Sequence, residues 1–533
     1  MPSRLVELEI ARPGVFGVNT SASGDVMPKE YSVKADNFVF SDEGYMESRH
    51  GSLRTHASSL TETVRQIFVT KDESGDDLTI FSTATKIYRK TAGAPVDITG
   101  TATTPTAGNW KFINLNNDIY GYQVGHAAIK LATPSSGTFI DVVFTTGTNA
   151  LPTNGSTVED AISAFGRVWA IEGDTLHYSD LLNGDDFTAV SAADGGIFTM
   201  TATYLYGKDK ATALAEFNGN LLVFGESHVT VWQNPYDPNG SSSAVMGVLE
   251  TIGGVGCIAR DSIQYTQNDL LFLSEQGVTS LSRVVQEKSM PLKRYSDNVR
   301  KDIQKLVRDV NPDTIWSTYV ETKGMYLLGS SASSKTFLID SATQLPDGSY
   351  RTLTWSKAIN VMAVEPDSAL LTSDDSWASI LLSDEAGYLS QVKGYNDYTP
   401  VSGVGGSTYV LTYESAWSSI LEDFENYLKM PKRLGVVVKG SGSITFSINV
   451  AFDYVDFVDS KARSATLSLS ASSKYGSAKY GTATYGSAVS IKESRAMGFG
   501  AGRIMKVKVV SIVDGELISL QRVSIKSKIG KQS

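Results

Sequence analysis

Catalysis needs side chains that converge, so the groups able to do chemistry are taken first. His50, His56, His126, His177 and His228 stand in five separate places, with no H-E-x-x-H or similar spacing that would put two imidazoles on one metal. His177 and His228 each fall near the start of a β-rich run and read as packing residues. Paired carboxylates flanking a sugar ring could hydrolyse a glycosidic bond, and acidic pairs occur at Asp76-Asp77, Asp185-Asp186 and Asp374-Asp375. Each lies in or beside a turn with Gly or Ser, where Asp bonds to nearby backbone instead. The stretch GFGAGR, Gly498 to Arg503, lacks the full G-x-G-x-x-G form. It runs into the strand-like IMKVKVV rather than the helix that would receive a phosphate. Cys257 is the sole cysteine, which excludes an internal disulfide and a cysteine zinc site. No catalytic, cofactor or metal site is expected.

The elements that would position any site are β-strands. The chain has 533 residues, 41% hydrophobic and 20% charged, with 47 glycines, a globular composition rich in turns. No window approaches the roughly 18 apolar residues of a membrane-spanning helix, and the N-terminal stretch MPSRLVELEIARPGVF carries acids where a signal peptide would be apolar. The expected setting is the cytoplasm of the producing cell. Charge is unevenly spread: residues 424–533 hold 17 Lys and Arg against 7 Asp and Glu, and the remainder holds 30 against 50. Two regions with different neighbours are implied. The acidic body argues against general nucleic-acid binding, which needs clustered cations.

A turn followed by a short β-rich run recurs at Asp77, Asp118, Arg167, Asn220, Asp269, Gly324 and Ser376, with steps of 41, 49, 53, 49, 55 and 52 residues. Each run has an apolar segment before it and another after it, as in WKFINL, then DIYGY, then AIKL. Three or more consecutive strands joined by short turns make an antiparallel meander. One such meander cannot cover both its faces; several arranged radially bury each against the next. The reading is a β-propeller of six to eight blades over residues 61–400, with residues 1–60 closing onto it. A pair of sandwiches is the rival, and it leaves the spacing unexplained.

Two helical interruptions are read. SDNVRKDIQKLVRDV places Val299, Ile303, Leu306 and Val310 on one face, an insertion near 296–310. ESAWSSILEDFENYLKMPKR also spaces Trp417, Ile420, Leu421, Phe424 and Leu428 helically, although its aromatic content suits a strand. Residues 401–533 then alternate apolar with polar residues, as in SITFSINVAF and RIMKVKVVSI, the mark of half-buried strands. They read as a C-terminal β-sandwich-like domain with a basic surface. The fold class is all-β.

Near the N-terminus, KADNFVFSDEGYMESRHGS carries Asn37, Gly44, Arg49 and Gly51 in the order N-x6-G-x4-R-x-G. Later come AFGRVWAIEGDTLHYSDLLNGDDF, IGGVGCIARDSIQYTQNDLLFLSEQGVTSLSR, KMPKRLGVVV and GFGAGRIMKVKVVS. Together these stretches resemble the tail nozzle proteins of short-tailed bacteriophages, the class similar to tail tubular protein B. The resemblance implies a non-enzymatic virion protein, assembled in the host cytoplasm. It implies a homo-hexamer below the head-to-tail adaptor ring, carrying tail fibres or spikes and extending the channel through which genomic DNA leaves without sequence-specific binding. Lys429, Lys432, Arg433, Lys506 and Lys508 are then expected to face the adaptor or a neighbouring subunit. The alternative is a virion propeller that binds or degrades host surface glycan.

The stretch SSKYGSAKYGTATYGSA places Tyr475, Tyr480 and Tyr485 one every five residues. In an extended chain that step turns successive rings to opposite faces, which suits an intersubunit arm. A glycine-rich loop with incidental repetition reads equally well.

Overall fold

The computed structural model describes residues 5–105, 108–188, 195–200, 209–238, 246–266, 268–287, 294–365, 377, 379–418, 427–440, 443–458, 463–468, 490–496 and 500–532. Among them, seven small antiparallel meanders follow one another in sequence order, at 66–97, 111–141, 160–199, 211–253, 264–280, 315–356 and 361–392. Each is a blade of a propeller. Closure is shown by the apolar cores between them. Leu78, Ile80 and Trp110, Phe112 join the first blade to the second, and Tyr120 and Val168 the second to the third. Trp169 and Leu221 join the third to the fourth, and Phe224 and Phe272 the fourth to the fifth. One large core spans the fifth to the seventh. Ile67 and Phe81 with Val361 and Leu381 return the seventh to the first. The ring is complete, which a pair of sandwiches would not give.

Burial explains why the second strand of each blade reads as a solid apolar run. Met325–Ser330 is buried at all six positions and Leu270–Ser274 at all five, because a neighbouring blade covers each face. The fifth blade has three strands among the described residues, and Leu281–Glu287 is a helix. The seventh blade takes its outer strand, Ser52–Arg54, from the N-terminal segment, with Ser390 opposite Arg54 and Val392 opposite Ser52. That pairing latches the two ends of the ring.

The sixth blade does not stop at its fourth strand. Tyr350–Ser356 meets Ser32–Asp36 in parallel, and the sheet runs on through Tyr409–Ser415, Met505–Val513, Ser443–Phe452 and Arg463–Ser468 to nine strands. A second sheet contains Tyr427–Gly440, Ile518–Gln532, Ser490–Ala496 and Leu5–Ala11. Its Val436, Val438 and Val523 share a core with Phe446, Ile448 and Val509 of the nine-stranded sheet. This is the sandwich. Met505–Val513 alternates buried and outer residues along its length, with Val507 and Val509 inward and Lys506 and Lys508 outward. Sheet pairing thus runs across both position 60 and position 400.

Of the two helices read in the sequence, the first is present as Arg300–Asp309, with Ile303 and Leu306 buried. The second is corrected at its ends. Its ends belong to the strands Tyr409–Ser415 and Tyr427–Gly440, and residues 419–426 lie outside the described set. The long strand pairs on both sides, with Ile518–Gln532 and Ser490–Ala496. Ladder hydrogen bonds and the β-branched Val436–Val438 outweigh a helical spacing of apolar residues.

Candidate functional site

Three of the four motif residues, Asn37, Arg49 and Gly51, gather where the N-terminal segment, the seventh blade and the sandwich meet. Arg49 is 2% exposed and forms two parallel hydrogen bonds to Asp397, at 2.8 and 2.7 Å. Its Nε donates to Asn37 Oδ1 at 3.0 Å, and its guanidinium lies 3.9 Å over the Tyr409 ring. Asn37 sits at φ 67° and donates from Nδ2 to the Val410 carbonyl at 2.7 Å. Gly51 packs against Asn396 so closely that a Cβ would overlap the Asn396 carbonyl. Gly44 has open space around it but φ 80°, in a turn closed by its N–H to the Ser41 carbonyl.

The cluster continues inward. Lys357 reaches Asp397 at 2.7 Å and Asp384 at 2.5 Å, and Ser52 donates to Asp384 at 2.5 Å. Two cations and two carboxylates therefore balance in a space closed to water. Burial would raise the Asp397 carboxyl, but the Arg49 bonds and the Arg49 and Lys357 charges hold it below the ordinary aspartate value. Burial would likewise depress Arg49, and Asp397 overrides it. Each charge in the cluster is thus paired with an opposite one. It is a clasp joining the latch strand Ser52–Arg54, the end of blade six and the first sandwich strand. The sequence order N-x6-G-x4-R-x-G pointed to these residues, but Lys357, Asp384 and Asp397 carried no signal of their own.

A second charged cluster fills the hub. Lys111 lies 3.3 Å from Asp160 and 3.7 Å from Asp261. Arg260 donates to the carbonyls of Glu159 and Asn109, tying three blades together. Asp160 also accepts from the Leu214 N–H at 2.8 Å, which holds the fourth blade's first strand. Burial would depress Lys111 and Arg260, and their aspartates keep both raised. A cavity of about 620 Å³ opens at this mouth of the hub, edged by Arg65, Glu159, Lys210, Arg260 and Asp313. Lys210 and Glu159 pair across it at 2.9 Å.

The other residues with chemical potential stay apart. Asp77 pairs with Lys71 at 2.7 Å, Asp185 with Lys130 at 2.8 Å, and Asp186 accepts the Thr188 N–H at 2.8 Å, each in or beside a turn. Asp374 and Asp375 lie outside the described residues. His177 stands 3.2 Å from Glu172, and burial pushes its imidazole down against the pull of that carboxylate. His228 pairs with Asp209 in the next blade. Among the described residues no three metal-ligating side chains come together.

The expected contact lysines divide. Lys432 and Arg433 are exposed. Lys506 and Lys508 are half-buried, held by Glu414 at 2.8 and 3.7 Å. Lys429 is corrected: it is 1% exposed, and its ammonium donates to the Arg503 carbonyl at 2.6 Å. The strand's alternation turns it inward, where a carbonyl replaces water. Tyr475, Tyr480 and Tyr485 lie outside the described residues.

No family model matches the sequence, and no curated protein matches it. Among solved structures the chain is similar to PorZ, a surface component of the type-IX secretion system of Porphyromonas gingivalis. That match has 11% identity and a TM-score of 0.33, over 70% of this chain and 43% of PorZ. The chain therefore spans less than half of PorZ. It is also similar to YCF48 bound to D1 peptide, at 7% identity and a TM-score of 0.33, over 66% of this chain and 95% of that one. Likenesses at this level carry no argument; the ring stands on its own sheets and cores.

Proposed function

We propose that this chain is a structural, non-enzymatic subunit of the tail nozzle of a short-tailed bacteriophage. The observation that carries the reading is the use made of the motif. Asn37, Arg49 and Gly51 are all consumed in a buried clasp that fixes the sandwich to the propeller, so the residues on which the resemblance rests serve rigidity. A conduit under load needs such a body. One sheet continues from the sixth blade into the sandwich, so the two parts move as one.

The charge split supports the same reading. The region 424–533 carries 17 Lys and Arg against 7 acids, and the remainder is acidic. Opposite potentials on one subunit favour head-to-tail contacts that close a ring, with register fixed by charge. A lumen short of cations would let DNA slide. Six copies would form that ring below the adaptor. Imaging of the purified full-length protein, alone and with an adaptor ring, tests this. A six-fold ring with an axial hole is expected; a protein that stays monomeric at high concentration in both settings overturns it.

A further inference from the structure

Every blade must dispose of the free edge of its outermost strand, since unpaired N–H and C=O groups invite another chain. The outer strands of the first two blades are two residues long, Val96–Asp97 and Ile140–Asp141, and that of the third is four, Gly196–Thr199. The fifth blade's edge is covered: Val278 bonds to the Tyr295 N–H and to Ser296 Oγ. The sixth continues into the nine-stranded sheet, and the seventh is bonded to residues 396–399 through the Ser52 and Arg54 N–H groups. The fourth differs. Its outer strand, Gly247–Gly253, is seven residues long and has no strand beyond it among the described residues.

Like the outer strands of the first three blades, this edge carries exposed apolar side chains. Leu249 is 56% exposed and Val248 38%. Leu249 is the extra residue of a β-bulge, since Glu250 faces Val231 while Val248 faces Trp232. The Gly254 N–H donates to the Ser227 carbonyl. Counting back in steps of two along an antiparallel ladder, the N–H groups of Gly253 and Thr251 point away from the blade. What complements such an edge is another extended chain.

We infer that this edge receives the Tyr-Gly segment, residues 472–488, of a second copy. Ser468 faces Ser443 and Ser490 faces Gly440, so the 21 residues between 468 and 490 leave and re-enter the sandwich at neighbouring points. Out and back, such a length reaches about 35 Å at most. The sandwich is mounted on the sixth and seventh blades, and the proposed donor is a neighbouring copy. The segment carries Lys474 and Lys479 and no acid, against a body with 50 acids and 30 bases outside 424–533. Its tyrosines, each followed by glycine, supply rings to cover Leu249 and Val248 and a backbone able to follow the bulge.

The inference rests on the ring-forming reading, and the tests separate the two. Thr251→Pro removes an outward N–H and leaves the blade's own ladder whole; Leu249→Lys places a charge on the edge. Each, in the full-length protein, is expected to weaken self-association about tenfold, as is Tyr480→Ala with Tyr485→Ala. Combining an edge change with the tyrosine changes should cost little more than either alone, because both remove one contact. A flexible bismaleimide should join Leu249→Cys protein to Tyr480→Cys protein when the two are mixed, with Cys257 buried and silent. Six-fold rings that persist without that cross-link, or effects that add, overturn the arm contact and leave the ring standing. A cross-link formed only within a single chain bearing both changes also overturns it.

Discussion

Asp397→Asn is the most informative single change, because it keeps the shape of the clasp and removes one of its four charges. In the native protein Asp397 takes two hydrogen bonds from Arg49 and one from Lys357 at 2.7–2.8 Å. Neutralising it leaves two buried cations sharing the single carboxylate of Asp384. Removing one partner of a buried, hydrogen-bonded pair costs about 3–5 kcal/mol. Part of that is met here by the amide oxygen, so a loss of about 3 kcal/mol at pH 7 is expected. The pH dependence gives the sharper test. The Asp397 carboxyl is held below its unfolded value, so its contribution is complete above about pH 4 and is lost as pH falls through the folded value. The gap between native and Asp397→Asn protein should therefore narrow only below about pH 4. Urea unfolding followed by tryptophan fluorescence reads this directly, since Trp355 lies 6.0 Å from the Arg49 guanidinium. A loss under about 1 kcal/mol, or a gap independent of pH down to 3, would refute the view of the clasp as a matched, dry cluster.

Four other expectations can be checked with purified protein. Gly51→Ala should prevent the latch strand from seating, because the methyl group would collide with the backbone of Asn396; a soluble variant with native thermal stability would contradict this. Cys257 is buried, and burial pushes its thiol up to about 12. A thiol reagent at pH 8 should leave it unmodified in native protein and label it in urea. Lys429→Ala should destabilise the fold, since it strips the partner from the Arg503 carbonyl inside the protein. Lys432→Ala with Arg433→Ala should leave the melting temperature unchanged and weaken assembly, because both side chains face solvent.

Much of the ring was legible because each blade repeats one physical problem. A strand covered on both faces must be apolar throughout, so DIYGY and NLLVF announce themselves, and the spacing of their turns bounds the blades at six to eight. The fifth unit departs from the repeat: after the strand Gly277–Ser280 the chain enters a helix, and residues 294–296 satisfy the strand's edge. The segment 414–433 misled, since helical spacing of Trp417 and Leu428 says nothing about partners on both sides of Tyr427–Gly440.

By itself the sequence determined that this is an all-β chain of seven similar units followed by alternating strands. Those properties are local: periodicity, turn residues and composition express them within a few tens of residues. Tertiary structure alone decided the rest. It brought Asp397 and Lys357 to Arg49 across more than three hundred residues, turned Lys429 inward, and left one blade of seven with a long outer strand that pairs on one side only among the described residues. Pairings at that separation depend on how the ring closes, and no spacing within a segment encodes which distant carboxylate will meet a buried guanidinium.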